Sequence, residues 1–178
     1  MTDEWQGLTP PYRTIVADPP WAGYRSQAAT KADARKHYST MSTDNICALP
    51  VADLAAPDAH LWLWGVNGLM EDAYRVVRAW GFQPVTLLTW CKPVPGIGHY
   101  LRNNTEHCIF ATRGKPMVPD TKPLATWFVW KRGEHSAKPD AFGDLVETVS
   151  PGPYVELFCR RPRFGWDSWG YGYESRTA

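Results

Sequence analysis

The chain has 178 residues, 44% of them hydrophobic and 21% charged, the size and make-up of one globular domain with a full core. Nineteen Lys and Arg stand against 18 Asp and Glu, so net charge supplies no overall grip on a polyanion. With 13% aromatics, ten of them Trp, the chain is not disordered, and 16 Pro with 14 Gly break it too often for an all-helical bundle.

The N-terminus, with Asp3 and Glu4, lacks the basic start and apolar run of a signal peptide. Residues 13–17 read as a first buried strand that runs straight into Asp18-Pro19-Pro20-Trp21. A long flexible loop over 22–41 follows, with Arg25, Lys31, Arg35 and Lys36 against Asp33 alone. A short helix is predicted from Thr43 or Asp44, then a strand at 60–64. Residues 42–72 hold five acids and no Lys or Arg, so near neutrality overall hides a basic loop beside an acidic stretch.

The spacing of Tyr74, Val77 and Trp80 predicts a helix over 70–80 that stops at Gly81. Strands are predicted at 85–90, 108–112 and 126–129, with a second flexible loop at 93–104. A last helix over 139–149 opens with Pro139, turns Phe142, Leu145, Val146 and Val149 inward, and ends at Ser150-Pro151-Gly152. A strand at 154–158 completes the pattern. Short apolar strands alternating with helices argue for an open α/β sheet, mostly parallel, in a single domain over 1–178.

No apolar run approaches the roughly 20 residues that span a bilayer. Cys47, Cys91, Cys108 and Cys159 are scattered, with no Cys-x-x-Cys pair, as expected of free thiols in a reducing cytoplasm. The five His show no ligand spacing, and no metal is expected.

The corner after the first strand carries the chemistry. A residue before Pro is held out of the α region, and each Pro fixes its own φ. Asp18 and Pro19 are thus extended just past the carboxyl end of a strand, the edge at which open α/β sheets bind ligands. The corner offers a carboxylate, a Pro19 carbonyl with no neighbouring amide competing for it, and the π-face of Trp21. That set suits a planar group that donates hydrogen bonds, such as an amino-substituted base. The same residues also fit a Pro-rich strand exit with Trp21 packed in the core.

Asp18-Pro19-Pro20-Trp21 after an apolar strand resembles the signature of methyltransferases that modify adenine at N(6). The likeness continues through the segments beginning His37-Tyr38-Ser39, Leu61-Trp62-Leu63-Trp64, Arg102-Asn103-Asn104, Glu134-His135-Ser136 and Val155-Glu156-Leu157. In that order, over nearly the whole chain, they resemble the MT-A-seventy (MT-A70) family. The resemblance implies a Rossmann-like S-adenosylmethionine-dependent methyltransferase fold in permuted order, with the catalytic motif before the cofactor motif.

It also implies roles. Asp18, Pro19, Pro20 and Trp21 would form the catalytic corner, with Trp21 and a loop-borne Tyr38 as walls for adenine. Ser136 and Lys138 would hold the cofactor's carboxylate, Asp18 its amino group, and Glu156 the ribose hydroxyls. Phe158 and Arg160 would line the adenosine pocket. At the end of the chain Tyr171 stands where the family usually has Asn; it would bind the cofactor by stacking or through its hydroxyl, but a phenol cannot reproduce an amide's paired donor and acceptor.

Glu106 and His107 stay outside the catalytic set, since a core or supporting role fits them equally. The implied partner is nucleic acid, DNA before RNA, with no membrane. One domain of this length leaves no room for separate target recognition. Specificity is then short or loose, or supplied by a protein partner or a homodimer. A non-catalytic nucleic-acid module and an enzyme for small-molecule or protein amines are the competing readings.

Overall fold

The computed structural model describes residues 5–22, 40–95, 100–118, 120, 122–131 and 138–170. Seven strands form one sheet in the order β5-β3-β4-β2-β1-β6-β7. These are β1 (Tyr12–Ala17), β2 (Ala55–Gly65), β3 (Gln83–Cys91), β4 (Thr105–Arg113), β5 (Trp127–Val129), β6 (Tyr154–Leu157) and β7 (Trp166–Trp169). The helices are α1 (Thr43–Ala48), α2 (Met70–Ala79) and α3 (Asp140–Val149). The pairs β1–β2, β1–β6, β6–β7 and β3–β5 are parallel. Only β4 runs against its neighbours, β2 and β3. The mostly parallel α/β sheet is therefore the expected one, with a single reversed strand.

The two-residue period of the central strands sorts their side chains between two cores. In β2, Leu61 and Leu63 join Ile15, Ala17, Val155 and Leu157 on the face covered by Ile46, Ala73, Val76, Val77 and Trp80. Trp62 and Trp64 join Val16, Leu88, Trp90 and Cys108 on the other face, under Phe142, Leu145 and Val146 of α3. Burial on both sides explains why these strands read as unbroken apolar runs. Trp62, Trp64, Trp80 and Trp90 are all core residues.

Local chemistry sets the helix ends. Ser42 caps α1, its hydroxyl accepting the Asn45 amide at 3.2 Å. After α2, Gly81 takes φ +81° and Phe82 N–H reaches back to the Val77 carbonyl at 3.1 Å, a left-handed stop that suits glycine. Pro139 is extended at the entry to α3, one residue ahead of the helix, rather than its first helical residue.

Two strand boundaries differ from expectation for a physical reason. β2 begins five residues early, and its register against β1 shifts between Tyr12 and Thr14. There Asp58 turns to accept the Lys115 amide at 2.6 Å. β3 includes Pro84, at a register shift between Pro84 and Thr86, where a missing N–H is tolerated. β7 was not expected at all. Its Trp-Asp-Ser-Trp sequence is half-buried at every position on the sheet edge, so no apolar alternation betrays it.

The chain leaves β1 toward β2 on one side and β6 toward β7 on the other. The strand order thus diverges between β1 and β6, the kind of crevice that open α/β sheets use for ligands. The early motif and the late motif are neighbours there, as the permuted order requires.

Candidate active site

Asp18 follows β1, and its amide reaches the Leu157 carbonyl at 3.5 Å, extending the β1–β6 ladder into the crevice. Pro19 is buried, and its carbonyl accepts the Trp21 amide at 2.9 Å. This corrects the expectation of a carbonyl free of competing donors: the turn at Pro20 folds the Trp21 N–H back onto it, leaving one lone pair. Beside Trp21, the Met41 amide donates to the Pro20 carbonyl at 2.8 Å and the Ala22 amide to the Met41 carbonyl at 2.9 Å.

Trp21 is 6% exposed and belongs to the core cluster beneath β1 and β2. Its indole N–H donates to the Trp64 carbonyl at the end of β2, at 3.1 Å. The open π-face expected of it is not displayed, and the packed alternative describes its position.

A cavity of about 210 Å³ opens at the carboxyl ends of β1 and β6. Asp18, Lys138, Glu156, Phe158 and Arg160 all line it, with Phe142, Gly143 and Arg163 behind. Five residues assigned to cofactor binding from separate parts of the sequence are thus brought around one space. Tyr38, Ser136 and Tyr171 lie outside the described residues.

An alternating row of charges crosses the strand ends. Lys138 Nζ is 2.8 Å from Asp18 Oδ2 and 3.1 Å from Glu106 Oε2, while Lys92 Nζ pairs with Glu106 Oε1. The Lys138 ammonium also lies 4.9 Å from the centre of the Trp64 ring, a cation–π contact. Burial disfavours the charge on Lys138, but Asp18 and Glu106 outweigh it and raise its pKa. Burial would raise Glu106 as well; Lys138 and Lys92 reverse the sign and hold its carboxyl below the usual range.

Glu156 is the opposite case. Burial, with a smaller repulsion from Asp18, pushes its pKa up, and the Cys159 thiol donates to it at 3.6 Å. Cys159 is in turn pushed up to about 12, chiefly by burial. A half-buried carboxylate served by so weak a donor retains capacity for a ligand that brings hydroxyl hydrogens.

Phe158, just past β6, has φ +62°, a left-handed conformation costly for a side chain of this size. The surroundings enforce it. Cys159 N–H donates to the Trp169 carbonyl at 3.0 Å, and Phe158 meets the Trp169 ring edge-on at 5.4 Å. Gly170 lies so close that a Cβ there would be 2.6 Å from the Cys159 amide nitrogen.

The MT-A70 family model matches residues 12–172, from the start of β1 to beyond β7. The chain belongs to the MT-A70 family. The type II methyltransferase M.MunI of a Mycoplasma species is 28% identical over 179 residues, covering 89% of this chain and 76% of its own length. The human N(6)-adenosine-methyltransferase catalytic subunit METTL3 is 27% identical over 158 residues, covering 84% of this chain and 26% of its own length. The Drosophila melanogaster N(6)-adenosine-methyltransferase MT-A70-like protein is 29% identical, with 84% and 24% covered. The chain therefore spans about three quarters of the first relative and about a quarter of the other two. MT-A70 membership places it among methyltransferases.

Two charged residues join Lys138 that the sequence does not assign to the site: Glu106, which it leaves outside the catalytic set, and Lys92. They meet because β4 is antiparallel, which returns its first residues to the edge where β1, β3 and β6 end. The signal available was the pair of charges at the margins of two apolar strands, each beside an unassigned loop. Among the described residues no group of three or more His, Cys, Asp or Glu could hold a metal ion, and no helix is long and apolar enough to cross a membrane.

Proposed function

We propose that this MT-A70 protein transfers the methyl group of S-adenosylmethionine to the N(6) amine of adenine in nucleic acid, with DNA as the substrate. The cavity at the β1–β6 crevice carries the reading, because Asp18, Lys138, Glu156, Phe158 and Arg160 converge there.

The residues fit the cofactor. Glu156, short of strong donors, suits ribose hydroxyls, and Lys138 supplies positive charge toward a carboxylate. Phe158 and Arg160 line the wall where an adenosine would lie. When bound, S-adenosylmethionine supplies an electrophilic methyl group on a sulfonium, so the protein needs no covalent intermediate.

The exocyclic amine of adenine is a poor nucleophile, its lone pair delocalised into the ring. Asp18 accepts one amino hydrogen through the oxygen not held by Lys138, and the remaining lone pair of the Pro19 carbonyl accepts the other. Both acceptors favour a tetrahedral nitrogen with its lone pair directed outward, so the catalysis is mainly orientation and preorganised charge. Trp21, buried and hydrogen-bonded to the Trp64 carbonyl, holds the Pro19-Pro20 corner in place from beneath. The base must be flipped or presented single-stranded. The sequence offers Arg160, Arg161 and Arg163 for phosphate beside the basic loop; Arg163 is engaged by Asp144 and Glu147, and Arg160, Arg161 and the loop are the groups proposed for that role.

The fuller coverage of the type II methyltransferase favours DNA, whereas the relatives named for N(6)-adenosine favour RNA. Digestion of DNA and RNA from expressing cells, followed by mass spectrometry, decides between them. Methyladenine above control in DNA supports the proposal. A rise confined to RNA replaces the substrate, and no rise in either overturns the activity.

A further inference from the structure

The row of charges has a member that touches neither Asp18 nor the cavity. Lys92 follows the last residue of β3, and its amide donates to the Asn104 carbonyl at 2.7 Å, carrying the β3–β4 ladder one step past the strand. Its side chain is only 13% exposed. The ammonium sits 4.9 Å from the centre of the Trp90 ring and is paired with Glu106. Trp90 and Glu106 are themselves register partners across β3 and β4. A lysine on a solvated face would extend its head group into water. This one is drawn inward instead.

We propose that Lys92 is a positioning residue for the methyl-transfer site: by engaging one oxygen of Glu106 it leaves the other to fix Lys138, and so sets where Lys138 meets Asp18. This rests on the methyl-transfer reading above.

Charge counting gives the reason. Asp18 and Glu106 are balanced by Lys138 and Lys92, two against two. Without Lys92, a single ammonium serves two carboxylates in a partly desolvated site. Glu106 then competes for Lys138 with both oxygens, and the contact to Asp18 is the one that lengthens. The effect passes through two ion pairs, so Lys92 alters the geometry of the reacting corner without contacting it. Displacements of about 1 Å in such corners cost up to about 100-fold in rate.

The test is a double-mutant cycle between Lys92→Met and Glu106→Gln. Lys92→Met lowers kcat by about 10- to 100-fold. KM for S-adenosylmethionine rises by less than kcat falls, since Lys138 keeps its charge beside the cavity and the main loss is orientation at Asp18. Lys92→Arg, which keeps a carboxylate partner, restores most of kcat. Adding Lys92→Met to Glu106→Gln changes kcat by less than about twofold, because the residue it acts through is already gone. Proton–nitrogen NMR of the lysine ammonium groups gives a readout independent of activity. The Lys138 signal shifts in Lys92→Met, as its contact to Asp18 lengthens, and returns to the native position in Lys92→Arg.

Additive losses, an unchanged kcat, a loss confined to KM for nucleic acid, or a Lys138 signal indifferent to Lys92 each overturn the proposal. A wild-type protein inactive on every adenine substrate overturns the methyl-transfer reading instead, and the NMR comparison then decides the positioning role. Should Lys92→Met fail to fold, Lys92→Gln, which retains the stem and a polar end, carries the same cycle.

Discussion

Oδ2 of Asp18 and Nζ of Lys138 lie 2.8 Å apart although 120 residues separate them in the chain. The contact joins the end of β1 to the entry of α3, so the proposed catalytic corner and the proposed cofactor side are tied together by one ion pair. Lys138→Met is expected to lower kcat/KM by about 100-fold or more, since it removes the partner of Asp18 and the charge proposed for the cofactor. With both side chains partly exposed, the stability cost is about 1–3 kcal/mol, less than for a fully buried pair. Steady-state kinetics and urea unfolding measure the two effects; unchanged kinetics would remove Lys138 from the site.

Glu156 separates cofactor binding from chemistry. Glu156→Ala deletes hydrogen bonds to a charged acceptor, worth about 1.5–3 kcal/mol. The dissociation constant for S-adenosylmethionine in isothermal titration is therefore expected to rise about 10- to 100-fold. An unchanged constant would show that the ribose does not lie on this carboxylate.

Trp21 is expected to report on stability before activity. It is 6% exposed, and Trp21→Ala opens a cavity in the core while leaving the Trp64 carbonyl short of a donor. The expected loss is about 3–5 kcal/mol. Trp21→Phe keeps most of the packing, forfeits the hydrogen bond, and costs about 1 kcal/mol more than a simple trimming. A Trp21→Ala protein as stable as wild type would contradict the packed position.

The charge row has a definite pH signature. Glu106 is held below its usual range because the two lysines outweigh burial, so its contribution to stability is full above the unfolded carboxylate value of about 4.3 and fades as pH falls below it. Lys138 is raised, with Asp18 and Glu106 outweighing burial, so its contribution is full below about 10.4 and fades as pH rises beyond it. The Tm difference between wild type and Glu106→Gln should therefore shrink as pH is lowered from 6 to 3. A gap that stays constant across that range would argue against the pairing.

Gly170 is expected to be intolerant of a side chain. Its missing Cβ faces the backbone of Phe158 and Cys159, which has no flexible end to yield. Gly170→Ala should cost about 1–3 kcal/mol and loosen the Phe158 wall of the cavity. Thermal unfolding with and without S-adenosylmethionine checks both, and a neutral substitution would mean that β7 moves freely against β6.

What the sequence shows of this architecture follows burial. The strands around Ile15, Leu61 and Val155 are packed on both faces and stand out as apolar runs, and the Asp18 corner stands out because two prolines constrain it. The motifs that carry Asp18, Lys138, Glu156, Phe158 and Arg160 are legible in the sequence, and the fold brings them to one cavity. β7 was invisible because Trp166 to Trp169 form a half-buried edge with a polar centre. The extension of β2 through Pro57 and Asp58 broke the usual signs of a strand. Lys92 and Glu106 escaped for a topological reason: 14 residues apart, they meet only because β4 is reversed. The Trp21 ring was misjudged because a motif names a residue type and not its depth.

The proposed role of Asp18 in directing methyl transfer to adenine N(6) is tested by comparing two purified proteins. Purified wild type and Asp18→Ala are incubated with methyl-labelled S-adenosylmethionine and adenine-containing DNA, and the digested product is quantified by mass spectrometry. Wild type is expected to give labelled N(6)-methyladenine, and a folded Asp18→Ala that still binds S-adenosylmethionine none. Equal product from both proteins, or none from wild type, would contradict that role.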